Sequence, residues 1–170
     1  GFSNTDAHTV ENIDSSFNIY MMKENNVENI KETMQSGASF MVTRNLPKGN
    51  DIIGPETGFD VKNTDIPYPV FTKVAVDGHS VTVSADNAHT VQFIANGKVI
   101  YKGEIGANDV TLNLDSVEGV EDFQYVRAEL FGEGGMCLTQ ALVIEDGSEK
   151  QDFETPKGLV AFINKVIFTL

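Results

Sequence analysis

Apolar and polar positions alternate with a period near two over much of this chain, and that rhythm predicts strands. "SFNIYMM" places Phe17, Ile19 and Met21 on one side of an extended segment. "NNVENIKETMQSG" changes period: Val27, Ile30 and Met34 recur at helical spacing. Asn26 can cap that helix, Glu28 suits the positive end of its dipole, and Gly37 can stop it. "ASFMVTRN" returns to a short strand. The stretch "PKGNDIIGPETGFDVKNTDIP" has no period and is rich in Gly, Pro, Asn and Asp, which reads as loop or linker.

From residue 68 the alternation is sustained. "FTKVAVDG", "SVTVSADN", "TVQFIANGKVIYKGE", "DVTLNLDS", "FQYVRAELFG" and "MCLTQALVIED" read as strands separated by turn residues. Asn96-Gly97 predicts a type I′ hairpin turn, and "FGEGGM" a second, longer hairpin connection with glycine at a positive φ. About seven short strands predict an immunoglobulin-like β-sandwich. Tyr125, at the start of a late strand, suits a tyrosine corner. The final "DFETPKGLVAFINKVIFTL" predicts an amphipathic helix. Thr155 caps it, Pro156 opens it, and Leu159, Ile163, Val166 and Leu170 form its stripe.

The expected divisions are therefore 1–46 as a short α/β unit, 47–67 as linker, 68–146 as sandwich and 147–170 as a tail with the amphipathic helix. The fold class expected is mainly β. Stability should come mostly from the sandwich, whose alternating strands each bury one face.

Composition narrows the partners. Twelve basic residues against 25 acidic ones give a net charge of −13. Such a surface repels phosphate backbones and anionic lipid, so neither a nucleic acid nor a membrane surface is expected as a partner. The longest apolar stretch, at the C-terminal end, is shorter than the ~20 residues of a membrane span and is interrupted by Lys165. A single cysteine, Cys137, rules out an intrachain disulfide and fits a reducing, cytoplasmic setting, with a secreted disulfide-free protein as the alternative. Gly1 leaves open that the natural protein extends further upstream.

Candidate chemistry begins in the opening "GFSNTDAHTV". In an extended segment, Asp6 and His8 point to the same side and can offer one carboxylate and one imidazole to a shared metal ion. A solvated polar loop is the alternative. His79 and His89 sit in "DGHS" and "DNAHT" and read as exposed turn residues. Cys137 has no neighbouring base or cation and reads as core. Arg44 and Arg127 are the only arginines. Arg44, beside the linker, is placed to reach an anionic ligand, and Arg127 to pair with a carboxylate such as Glu129. An ordinary surface ion pair is the alternative for both. "GEGG" lacks the Lys-Ser/Thr and the helix of a phosphate-binding P-loop.

The order of these segments resembles the C-terminal part of the PHP family, the polymerase and histidinol phosphatase-type metal-dependent phosphoesterases. The residues that carry it are "GFSNTDAHT", "ENIKETMQSGASFMVTRN", "VTVSADNAHTVQFIANGKVIYKGE" and "YVRAELFGEGGMCLTQAL". The resemblance implies that Asp6 and His8 match the family's final metal-ligand motif, with Thr5 where Ser is common. It implies that residues 1–46 are the remnant of a barrel, packed on the sandwich or mobile. It also implies a divalent metal (Mn, Zn or Fe) in the intact protein and a small phosphoester substrate. The family's opening H-x-H pair and its middle ligands have no counterpart here, so the missing N-terminal barrel would have to supply them, and this chain alone would be inactive. A second expectation, in a different class, is a non-catalytic binding or subunit-interaction module. The apolar stripe of the terminal helix favours it, because a homo-oligomer could cover that face; the absence of tryptophan argues against a sugar platform.

Overall fold

The computed structural model describes residues 1–5, 7–10, 13–46 and 58–144. The predicted tail at 147–170 and most of the linker lie outside the described residues.

The strands are β1 (Ser16–Tyr20), β2 (Ser39–Thr43), β3 (Asn45–Leu46), β4 (Phe59–Asp60), β5 (Val70–Asp77), β6 (Ser80–Asp86) and β7 (Thr90–Ala95). Further along come β8 (Lys98–Glu104), β9 (Val110–Asn113), β10 (Tyr125–Gly132), β11 (Gly135–Thr139) and β12 (Leu142–Val143). A helix, α1 (Val27–Ser36), joins β1 to β2. Two single 3₁₀ turns, Leu114–Ser116 and Val120–Asp122, lie between β9 and β10. Among the described residues the structure is mainly β, and every strand pair is antiparallel.

The large sheet runs β1-β2-β11-β10-β7-β8, with β12 on the start of β10. A smaller sheet runs β5-β6-β9, and β3-β4 form a separate ribbon. The two main sheets share one core. Val42, Val91, Phe93, Val126, Ala128, Leu130 and Cys137 from the large sheet meet Phe71, Val81, Val83 and Leu112 from the small one. Burial of these side chains supplies the main driving force, at roughly 25 cal/mol per Å² of apolar surface removed from water. Phe40 of β2 stacks on Phe71 of β5 with ring centroids 5.3 Å apart, which ties the two layers at that end.

Residues 1–46, expected as a barrel remnant packed on the sandwich or mobile, include strands that continue this sheet. β2 pairs with β11 in the register Met136↔Thr43, Cys137↔Val42, Leu138↔Met41 and Thr139↔Phe40. The physical reason lies in the alternation of "SFMVT": Val42 points inward and is fully buried in the same core as Cys137. A strand with one apolar face gains more from pairing with β11 than from standing as an open edge. The expected boundary at 46 therefore falls within one continuous core.

α1 has the expected limits. The Asn26 side chain accepts from Asn29 N at 2.8 Å, and Gly37 ends the helix at φ 71°. Its orientation is the surprise. The buried residue is Thr33, whose hydroxyl donates to Met21 O at 3.3 Å, while Val27 and Met34 are 59% and 40% exposed. Val27 and Met34 of the predicted stripe stay exposed, while Ile30 between them is half-buried.

Two turns are tighter than, or equal to, expectation. At Asn96-Gly97 both residues have positive φ (46° and 76°), as a type I′ turn requires. The "FGEGGM" connection is a two-residue loop, because Gly132 pairs directly with Gly135. A Cβ on Gly134 would collide with the Pro67 carbonyl, and one on Gly135 with that of Thr43. These glycines let three backbones converge. Part of the predicted linker is also ordered into structure: β3 and β4 pair as Asn45↔Asp60 and Leu46↔Phe59.

Candidate functional site

The N-terminal segment is a strap laid on the large sheet. Gly1 N donates to Gln140 Oε1, and Gln140 Nε2 returns a bond to Gly1 O at 2.9 Å. Ser3 and Asn18 exchange a reciprocal pair at 2.9 and 2.8 Å, and Ser3 Oγ donates to Val42 O at 2.9 Å. No regular strand forms over residues 1–5. The strap delivers Ala7 and His8 to the surface, where both are exposed. Asp6 lies outside the described residues, so its direction relative to His8 is not part of this geometry.

The other histidines are far apart in role. His79, in the β5–β6 turn, holds Asp115 Oδ1 through Nδ1 at 2.6 Å, with both side chains more than 60% exposed. Nucleophilic sites use a histidine oriented by a carboxylate, but here both partners stand in solvent. His79 lines a pocket of 280 Å³ with apolar groups such as Val81, Leu114, Val126 and Leu142, and among the described residues no Ser, Thr or Cys lines it. His89 Nδ1 meets its neighbour Thr90 Oγ1 at 3.0 Å, and its backbone bridges Phe131 O and Ile105 N. Among the described residues no group of three or more His, Cys, Asp or Glu gathers to hold a metal ion. Cys137 is fully buried, and burial pushes its thiol up to about 12, so a thiolate nucleophile is not available there.

Arg44 does not sit on an open linker edge. It is 6% exposed, with Nη1 donating to Ile66 O at 2.9 Å and the guanidinium 5.5 Å from the centre of the Tyr68 ring. Tyr68 in turn meets Phe17 edge-on at 5.1 Å. Arg44 thus pins the chain entering β5 to the end of β2. Its Nε has no hydrogen-bond partner among the described residues.

Arg127 makes the anticipated pair, but inside the protein rather than on its surface. Nε and Nη2 both reach Glu129 Oε1, at 3.1 and 2.8 Å, and Gln92 Nε2 donates to Oε2 at 2.6 Å. Glu129 is completely buried and Arg127 only 21% exposed at its side chain. A buried carboxylate demands this satisfaction. Sequence reasoning overlooked Gln92 as the third member. The available signal was position: in the observed register Gln92 stands directly opposite Glu129 on the central strands.

Tyr125 does not form a tyrosine corner. Its hydroxyl accepts from Gly97 N at 3.0 Å, reaching across to the β7–β8 turn. Asn96 completes a clasp with the same stretch: Nδ2 donates to Asp122 O at 2.7 Å, and Oδ1 accepts from Gln124 N at 3.1 Å.

No described helix is long and apolar enough to cross a membrane. In comparisons with known proteins, no family model, no curated protein and no solved structure matches the chain.

Proposed function

We propose that this chain is the C-terminal part of a PHP-like metal-dependent phosphoesterase, carrying Asp6 and His8 as the last metal-ligand motif and an accessory immunoglobulin-like sandwich, and inactive alone. The observation that supports this most is the strap. The Thr5-Asp6-Ala7-His8 stretch follows residues tied down at Gly1 and Ser3, and His8 is presented at the surface, where a second body of protein has access to it. The grouping of strands supports the finer fold reading. A three-stranded antiparallel sheet, β5-β6-β9, packed on a larger antiparallel one is a two-sheet arrangement of the kind found in immunoglobulin-like domains, with β1 and β2 extending the larger sheet beyond β11.

The metal does not fit this chain alone. A catalytic divalent site needs about three protein ligands and an open position, and one carboxylate with one imidazole falls short of that. In the intact protein a Mn, Zn or Fe site would draw its remaining ligands from the missing N-terminal barrel, and a small phosphoester is the substrate class consistent with the acidic surface.

The experiment is to restore the upstream sequence and measure bound metal and hydrolysis of a generic phosphoester. Asp6→Ala with His8→Ala should lower activity by more than the ~10–100-fold caused by losing an outer-shell partner of a metal site, and bound metal should fall with it. Unchanged hydrolysis and metal content in the double variant would overturn the assignment.

A second reading, a subunit-interaction module without chemistry, draws on the exposed apolar residues of α1. Met21, Val27 and Met34 are all exposed on or beside that helix.

A further inference from the structure

The geometry points to Asn96-Gly97 as a deamidation site that the fold holds closed through Asp122, Gln124 and Tyr125. It is the only Asn-Gly step in the chain. Glycine after asparagine leaves the main-chain nitrogen unhindered, so this dipeptide is the most susceptible of its kind. In the reaction the Gly97 nitrogen gives up its proton and attacks Asn96 Cγ. The new N–Cγ bond forms, the Cγ–Nδ2 bond breaks, and Nδ2 leaves as ammonia with the proton. Water then opens the cyclic imide at either carbonyl, giving aspartate or isoaspartate. Water is the only co-reactant, and both turn residues are exposed to it.

Each atom that must move is held. Gly97 N–H, whose proton must leave, donates to Tyr125 Oη at 3.0 Å. Nδ2, the leaving group, donates to Asp122 O at 2.7 Å. Oδ1 accepts from Gln124 N at 3.1 Å, which stops the carboxamide from rotating toward Gly97. All three partners belong to one short stretch, from the end of the second 3₁₀ turn to the first residue of β10. Release of that stretch frees all three atoms together.

The product would restore the clasp only in part. A carboxylate has no hydrogen to donate to Asp122 O and would face that carbonyl with a negative charge. An isoaspartate would also add a main-chain carbon to a turn whose two residues sit at φ 46° and 76°. Either product therefore loses the bond to Asp122 O, while the aspartate form keeps an oxygen for Gln124 N and leaves the Gly97 N–H bond to Tyr125 in place.

The test incubates the folded protein at mildly alkaline pH beside a synthetic peptide of residues 92–101. Peptide mass mapping follows amide-to-acid conversion at residue 96. The folded protein should convert far more slowly than the peptide. Tyr125→Phe, which deletes only the acceptor of the Gly97 N–H, should convert about fivefold faster than wild type, the value of one net hydrogen bond. Hydrogen exchange at the Gly97 amide should rise in parallel. Equal rates in folded protein and peptide would overturn the inference without recourse to any variant. So would a Tyr125→Phe protein whose Gly97 amide exchanges faster while residue 96 converts at the wild-type rate.

Discussion

The centre and the N-terminal margin of the large sheet obey different rules. In β7, five consecutive residues from Val91 to Ala95 are buried, so both faces of the strand are covered. β10 resembles it, with Val126, Ala128, Glu129 and Leu130 buried. In β1 all five residues are only half-buried, and α1 buries a threonine while leaving Val27 and Met34 exposed. Of the nine large hydrophobic residues exposed among the described ones, six (Phe2, Val10, Ile13, Met21, Val27 and Met34) lie before residue 37. The lesson is that the margin has joined the sheet through its backbone and through one inward face, while its remaining apolar surface has no cover within this chain's described residues. That is the property an interface would have.

The sharpest way to break this contrast is to hollow out the centre. Leu130→Ala, at a site with no exposure, should cost about 2–5 kcal/mol in urea denaturation. A loss no larger than that of a surface substitution would mean the central strands are not the main source of stability. A smaller effect is expected at the helix. Asn26→Ala removes the cap on Asn29 N and should cost about 1 kcal/mol by the same measurement. The smallest effect belongs to the exposed pair on α1. Val27→Asp with Met34→Asp should change monomer stability by no more than about 0.5 kcal/mol per site. If the subunit-interaction reading holds, the same pair should abolish association seen by light scattering across a concentration series. A wild-type chain that stays monomeric throughout would remove that reading.

Much of the fold was legible because local rules and tertiary demands coincide. The I′ turn at Asn96-Gly97 follows from the two residues alone, and Asn26 and Gly37 bracket α1 as capping chemistry dictates. What could not be read was partner choice over long sequence distance. Nothing local in "SFMVT" says that Val42 will face Cys137 rather than close a barrel. The helix misled for a related reason: periodicity shows that Val27, Ile30 and Met34 share a side, but not which side meets the sheet. At the candidate sites, residue type suggested Arg127 with Glu129 but not its burial, since that depends on the neighbouring strand that brings Gln92. The place of Arg44 beside a linker suggests an open edge, whereas Tyr68 and the Ile66 carbonyl draw it inward.

The seam between β2 and β11 also bears on how the molecule comes into being. Its two halves are separated by most of the chain, so during synthesis β2 emerges long before its neighbour exists. Until β11 is made, one side of β2 offers unpaired peptide groups and an apolar valine to whatever is nearby. The nascent polypeptide must wait for its own late segment, and that interval is when misassembly between copies has its opening.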